Sequence, residues 1–187
     1  MTTSKRDSLI AHQQFFAVID SALLPEPLWY AKGAGLPLKS LFLNKDKPLE
    51  DKGPWLINLQ DAPDMMDLLL EQDVHGHGTL WCSSPLDIQS LSDQLTKRVY
   101  AKKPDGTITR FRFYDPRVLH HYLLSESDEK VGQFLQPFSR LTYASLNPFR
   151  FEHYWNEWLV QEQETVYLES PLYSASTEQS HGNADRA

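Results

Sequence analysis

A single cysteine, Cys82, stands in the 187 residues. That scarcity excludes an intrachain disulfide and a thiolate metal cluster, and it fits a reducing compartment. The glycines Gly33 and Gly35 do not extend into a Gly-x-Gly-x-x-Gly dinucleotide loop, because residue 38 is Leu38. No glycine-rich loop followed by lysine is present to cradle phosphate, and no Gly-x-Ser-x-Gly elbow presents a serine nucleophile. Long apolar runs are missing too. Near the N-terminus the longest is Phe15 to Ile19, bounded by Gln14 and Asp20, which is short for an export signal and far short of a membrane span. Positive charge is in deficit: 18 Lys and Arg face 25 Asp and Glu, for a net charge of −7 and an isoelectric point near 5.4. Binding to nucleic acid relies on cations that displace counterions from phosphates, so neither nucleic acid nor a membrane is an expected partner. The expectation is a soluble protein of a bacterial-type cytoplasm.

Aromatics, by contrast, are plentiful. Five Trp, eight Tyr and nine Phe within a 41% apolar chain can build a real core. Phe15-Phe16-Ala17-Val18-Ile19 reads as a buried strand ending at Asp20-Ser21, and Pro25 and Pro27 open a short helix closed by Gly33 and Gly35. Leu38–Leu43 and Pro54–Leu59 read as strands, with a surface loop over 44–53 between them. Asp61-Ala62-Pro63-Asp64 starts a helix to about Gln72. After a turn at His75-Gly76-His77-Gly78, Thr79–Ser83 is a strand. Ser84 and Pro85 are expected to cap and open a helix whose Ile88, Leu91 and Leu95 share one face.

Val99–Tyr114 reads as a hairpin around Pro104-Asp105-Gly106, with Thr109, Phe111 and Phe113 facing one way and Arg110, Arg112 and Tyr114 the other. Asp115-Pro116 starts another helix, Asp as cap and Pro at the first position. The pattern predicts an α/β fold: a mixed β-sheet flanked by helices, with a smaller, mainly helical C-terminal lobe. The segments are a polar lead-in over 1–14, an α/β lobe over 15–124, an aromatic-rich lobe over 125–173, and a polar tail over 174–187 expected to be disordered and dispensable for folding.

Reactive constellations are sparse. His75 and His77 are two apart and His120 and His121 adjacent, neither at the i, i+4 spacing of a helical zinc site. An His-x-His pair on an extended segment can ligate a metal, but the sequence identifies no third ligand, and no metal or cofactor is expected. Cys82 sits inside an apolar strand, where a cysteine is ordinarily a small buried hydrophobe. The densest unusual stretch is Arg110-Phe111-Arg112-Phe113-Tyr114-Asp115-Pro116-Arg117. Arg112 and Arg117 either form an exposed recognition patch or brace the corner by pairing with Asp115, and an arginine can do both.

This stretch also carries a family resemblance. Phe111 to Leu119 resembles the signature of the type VI secretion effector-adaptor or effector-chaperone proteins. Ala17-Val18-Ile19-Asp20-Ser21-Ala22, Pro37-Leu38, Gly53-Pro54-Trp55-Leu56-Ile57, and a helix starting at Ser84-Pro85 before a two-armed hairpin are similar in order and spacing. The likeness spans roughly residues 15–140 and marks Asp20, Trp55, Tyr114, Asp115 and Pro116 as structural positions. It implies a non-catalytic cytoplasmic protein that binds the N-terminal region of a cognate effector toxin and attaches it to the spike protein VgrG. A small metal-dependent or thiol hydrolase, using His75, His77 and Cys82, and a permanent structural or regulatory subunit are the competing classes.

Beyond residue 145 only composition speaks. Phe149, Phe151, Tyr154, Trp155 and Trp158 fall within ten residues. Aromatics and arginine carry much of the energy at protein interfaces, and a helix would align Trp155 with Trp158 and Phe151. The alternative is that these rings cover the sheet or form a core.

Overall fold

The structure, a computed structural model, describes residues 4–103, 105–147, 152–160 and 165–171. Nine strands and six α-helices alternate along the described chain. In order they are α1 (Lys5–Ala11), β1 (Phe16–Asp20), α2 (Pro25–Gly33), β2 (Leu38–Ser40), a 3-10 helix (Asn44–Lys52), β3 (Pro54–Asn58), α3 (Pro63–Gln72), β4 (Thr79–Ser83), α4 (Ile88–Val99), β5 (Tyr100–Lys102), β6 (Ile108–Arg110), α5 (Pro116–Ser125), α6 (Asp128–Leu135), β7 (Arg140–Asn147), β8 (Glu152–Val160) and β9 (Thr165–Pro171). Seven strands form one sheet in the order β2-β3-β1-β4-β7-β8-β9, and β5 and β6 form a separate ribbon.

The apolar runs of β1, β3 and β4 are continuous because both faces of the sheet are covered. Val18, Leu56, Leu80 and Cys82 point to one face, where Leu91 and Leu95 of α4, Leu119 of α5 and Leu135 of α6 meet them. Ala17, Ile19, Trp55, Ile57 and Trp81 point to the other, against Leu28 of α2 and Met65, Met66 and Leu69 of α3. The result is a three-layer α/β/α arrangement with two apolar cores. No helix among the described residues is long and apolar enough to cross a membrane.

The α/β class and the flanking helices hold, with two corrections in detail. Every pairing in the sheet is antiparallel, so the sheet is not mixed in strand direction. Among the described residues the chain beyond α6 is extended rather than helical: β7, β8 and β9 continue the same sheet, β7 pairing with β4 through Leu80↔Tyr143 and Cys82↔Leu141. Local spacing could not distinguish these states, because β7 takes its ladder hydrogen bonds from β4, some sixty residues away in sequence, and β8 and β9 pair onto β7 in turn.

Two starts also differ. The 44–53 loop is mostly 3-10 helix. Helix α4 begins later than Ser84, at Ile88. Its cap is Asp87, whose carboxylate accepts from the Ser90 amide at 2.8 Å. Ser84 instead donates its hydroxyl to the Pro137 carbonyl at 2.6 Å, tying the end of β4 to the loop before β7. The ribbon turns at Gly106, whose φ of +84° is the left-handed conformation expected from Asp-Gly. The tail over 174–187, and with it Phe149, Phe151 and Pro104, lies outside the described residues.

Candidate functional site

The Asp-Pro corner forms as the sequence predicts. Asp115 caps α5 by accepting from the Arg117 amide at 3.0 Å, and Pro116 takes the first helical position. The Arg117 guanidinium closes back on the same carboxylate in a bidentate pair, 2.8 Å from Nε and 2.7 Å from Nη2. Asp115 is buried. Burial alone would raise its carboxyl pKa, but the hydrogen bonds from Arg117 and the charges of Arg117 and Arg112 outweigh that and hold it below the ordinary carboxylate value.

A second buried acid faces this corner. Asp20 closes β1 at only 1% exposure, and its carboxylate accepts from the Ala22 amide at 3.0 Å and from Arg112 Nη2 at 2.9 Å. The same Arg112 nitrogen lies 3.9 Å from Asp115. Arg112 therefore bridges two buried carboxylates and ties the end of β1 to the start of α5 across 92 residues. Phe113 and Tyr114 are buried, the Arg112 guanidinium lying 5.7 Å over the Tyr114 ring, while Trp55 is buried on β3 and donates its indole N–H to the Glu50 carbonyl at 2.9 Å. The arginines both brace the corner and stay open, their side chains 52% (Arg112) and 55% (Arg117) exposed.

The aromatic segment is assembled differently from a helix. In β8 successive side chains alternate, so Trp155 and Trp158 lie on opposite faces of the sheet. Trp158 is a core residue. Its indole donates to the Tyr143 hydroxyl at 3.1 Å, and its ring packs 4.8 Å from that of Tyr167. Trp155 is partly buried against the opposite core. Tyr154 is buried on the Trp158 side, next to the fully buried Asn156, which donates to Ser145 Oγ at 2.8 Å and accepts from the Tyr167 hydroxyl at 2.8 Å.

The folded chain gives His75 and His77 a neighbour that spacing could not identify. His153 of β8 stacks 5.3 Å from His75 and lies 5.9 Å from His77, ring centroid to centroid. The approach depends on Gly76, with φ +64°, where a Cβ would meet the Ala144 Cβ at 2.2 Å. Only the His75–His153 pair is stacked and His77 is tilted against both, and no group of three or more His, Cys, Asp or Glu among the described residues is placed to hold a metal ion. Cys82 is completely buried within the apolar core, and burial pushes its thiol pKa up.

Sequence reading passed over the cations that gather on the ribbon side of the molecule. Six Lys and Arg stand between Lys97 and Arg112 against one acid, Asp105. That density was a legible signal within a chain of net charge −7.

Fold and corner together define an α/β domain whose most unusual sequence stretch builds a clamped strand-to-helix joint. The chain belongs to the family of the domain of unknown function DUF4123, whose model matches residues 15–133. No curated protein and no solved structure matches it.

Proposed function

We propose that this chain is a non-catalytic adaptor or chaperone, which binds the N-terminal region of a cognate type VI secretion effector in the cytoplasm and loads it onto the VgrG spike. The observation that carries the reading is the nature of the signature stretch. Residues 111–119, one of the stretches that carry the resemblance, form an ion-paired corner with two half-exposed guanidinium groups. The arginines are fixed by buried carboxylates and keep donors directed to solvent, the arrangement of a preorganised recognition surface. The buried thiol of Cys82 supports the same reading, since the thiol-hydrolase alternative needs it accessible.

The test is affinity capture of tagged full-length chain from a bacterium with its secretion genes expressed, followed by mass spectrometry. The expected result is a large polypeptide whose N-terminal fragment alone is sufficient for capture, accompanied by the spike protein. Recovery of the chain alone under those conditions would overturn the proposal. Retention of the chain in the assembled, exported particle would favour a permanent subunit.

A further inference from the structure

The ribbon β5–β6 stands off the main sheet and, with the end of α4 and helices α5 and α6, encloses a cleft of about 460 Å³. This falls within the range of roughly 300–1,000 Å³ of pockets that bury a ligand or a few side chains. Its floor is aromatic. Phe111 packs 4.9 Å from Tyr122 and 6.4 Å from Phe134, and Tyr122 lies 5.6 Å from Phe134. Tyr100 and the small side chains Ala101 and Thr109 form the ribbon wall.

The lining is cationic on all sides and contains no acid. Arg98 is structural: its guanidinium donates to the carbonyls of Gln94, Gln133 and Phe134, which locks α4 to the end of α6. Lys130 is paired with Glu126. Lys97 and Arg110 are exposed and make no ion pair among the described residues, and Arg110 lies 5.5 Å over the Phe42 ring. Lys102 and Lys103 add two exposed cations to the same ribbon, and Ile108 beside them is 62% exposed.

We infer that this cleft is the docking site for an acidic, amphipathic peptide segment of a partner protein, its apolar side chains on the Phe111–Tyr122–Phe134 floor and its carboxylates toward Lys97 and Arg110. Charge complementarity selects the occupant. A net charge of −7 repels polyanions over most of the surface, whereas a short segment with a few carboxylates can reach Lys97 and Arg110 on a stretch where Asp105 is the one acid between Lys97 and Arg112. Aromatic rings able to bury apolar anchors favour a peptide over an inorganic anion. The inference deepens the adaptor reading by giving the effector's N-terminal region a site and a composition.

The experiment is a selection of random dodecapeptides displayed on phage against the full-length chain, with enriched peptides measured by fluorescence anisotropy. Enriched peptides are expected to combine aromatic or aliphatic residues with Asp or Glu. Their affinity should fall about ten-fold in Lys97→Gln/Arg110→Gln, a change of about 1.4 kcal/mol, and should weaken as salt is raised. Thr109→Tyr, which fills the cleft and leaves the charge intact, is expected to block the same peptides. Circular dichroism checks that both variants are folded. No enrichment, peptides without acids, unchanged binding to both folded variants, or displacement of the peptides by a single-stranded oligonucleotide would each overturn the inference. Because the probe is synthetic, such a failure leaves capture of a native effector by the wild-type chain as a separate result.

Discussion

Removing Arg112 isolates the carboxylate of Asp20, and the consequence can be worked from the geometry. Asp20 is 1% exposed, and its carboxylate accepts from the Ala22 amide and from Arg112 Nη2. Breaking a fully buried ion pair costs about 3–5 kcal/mol, because a charge is left without compensation. Arg112, however, has a side chain 52% exposed, so truncation lets water reach the carboxylate from that side. The loss should be nearer that of one charge-assisted hydrogen bond, about 2 kcal/mol. For a chain of this length each kcal/mol moves the Tm by roughly 2–4 °C, so Arg112→Ala should lower it by roughly 4–8 °C in differential scanning calorimetry. The same truncation in an Asp20→Asn background should cost under about 1 kcal/mol, since the neutral amide needs less compensation. The double-mutant cycle should then give a coupling of about 1 kcal/mol or more. Equal costs of Arg112→Ala in both backgrounds would refute the argument that the arginine's role at this corner is to compensate Asp20.

Three further outcomes follow from the same structure. Trp158→Ala should destabilise by about 3–5 kcal/mol, because it opens a cavity beneath β7 and β9 and removes a donor from Tyr143. Trp155→Ala, whose side chain is only partly buried against the opposite core, should cost about 1–2 kcal/mol, and equal losses in thermal unfolding would contradict that difference in burial. Cys82 should resist a thiol-reactive disulfide in the native protein and react stoichiometrically in denaturant; rapid native labelling would show that the strand is open. Burial lowers the proton affinity of His77, with Arg117, His153 and His75 adding to that and Asp73 opposing it; burial also lowers that of His153 and His120. Below about pH 6.5 the unfolded chain therefore binds more protons, so stability is full above that pH and is lost as pH falls toward the lower native values. The Tm should drop between pH 7.5 and 5.5, with a smaller drop in His77→Gln, and a flat profile would contradict the sign.

The sequence by itself determined the elements whose causes are local. Asp-Gly at 105–106 supplies the left-handed turn, and Asp115-Pro116 supplies a cap and a preset first helical residue. The apolar runs of β1, β3 and β4 declared strands, while their burial on both faces emerged only with the helices packed against them. Tertiary structure decided everything that depended on distant partners. Phe151, Trp155 and Trp158 suit a helical stripe as well as a strand, and the ladder to β7 settled the state of 152–160. Ser84 resembled a cap, but it lies four residues before Ile88: its oxygen accepts from the Leu86 amide in a local turn while its hydroxyl donates to Pro137, 53 residues away, and Asp87 caps α4. His153 joins His75 and His77, and Arg112 reaches Asp20, only after β1, β4, α5 and β8 are packed together. Backbone preferences and capping act over a few residues and can be read along the chain. Which side chains share a buried surface is fixed by sheet order, and no local pattern in this sequence encodes that order.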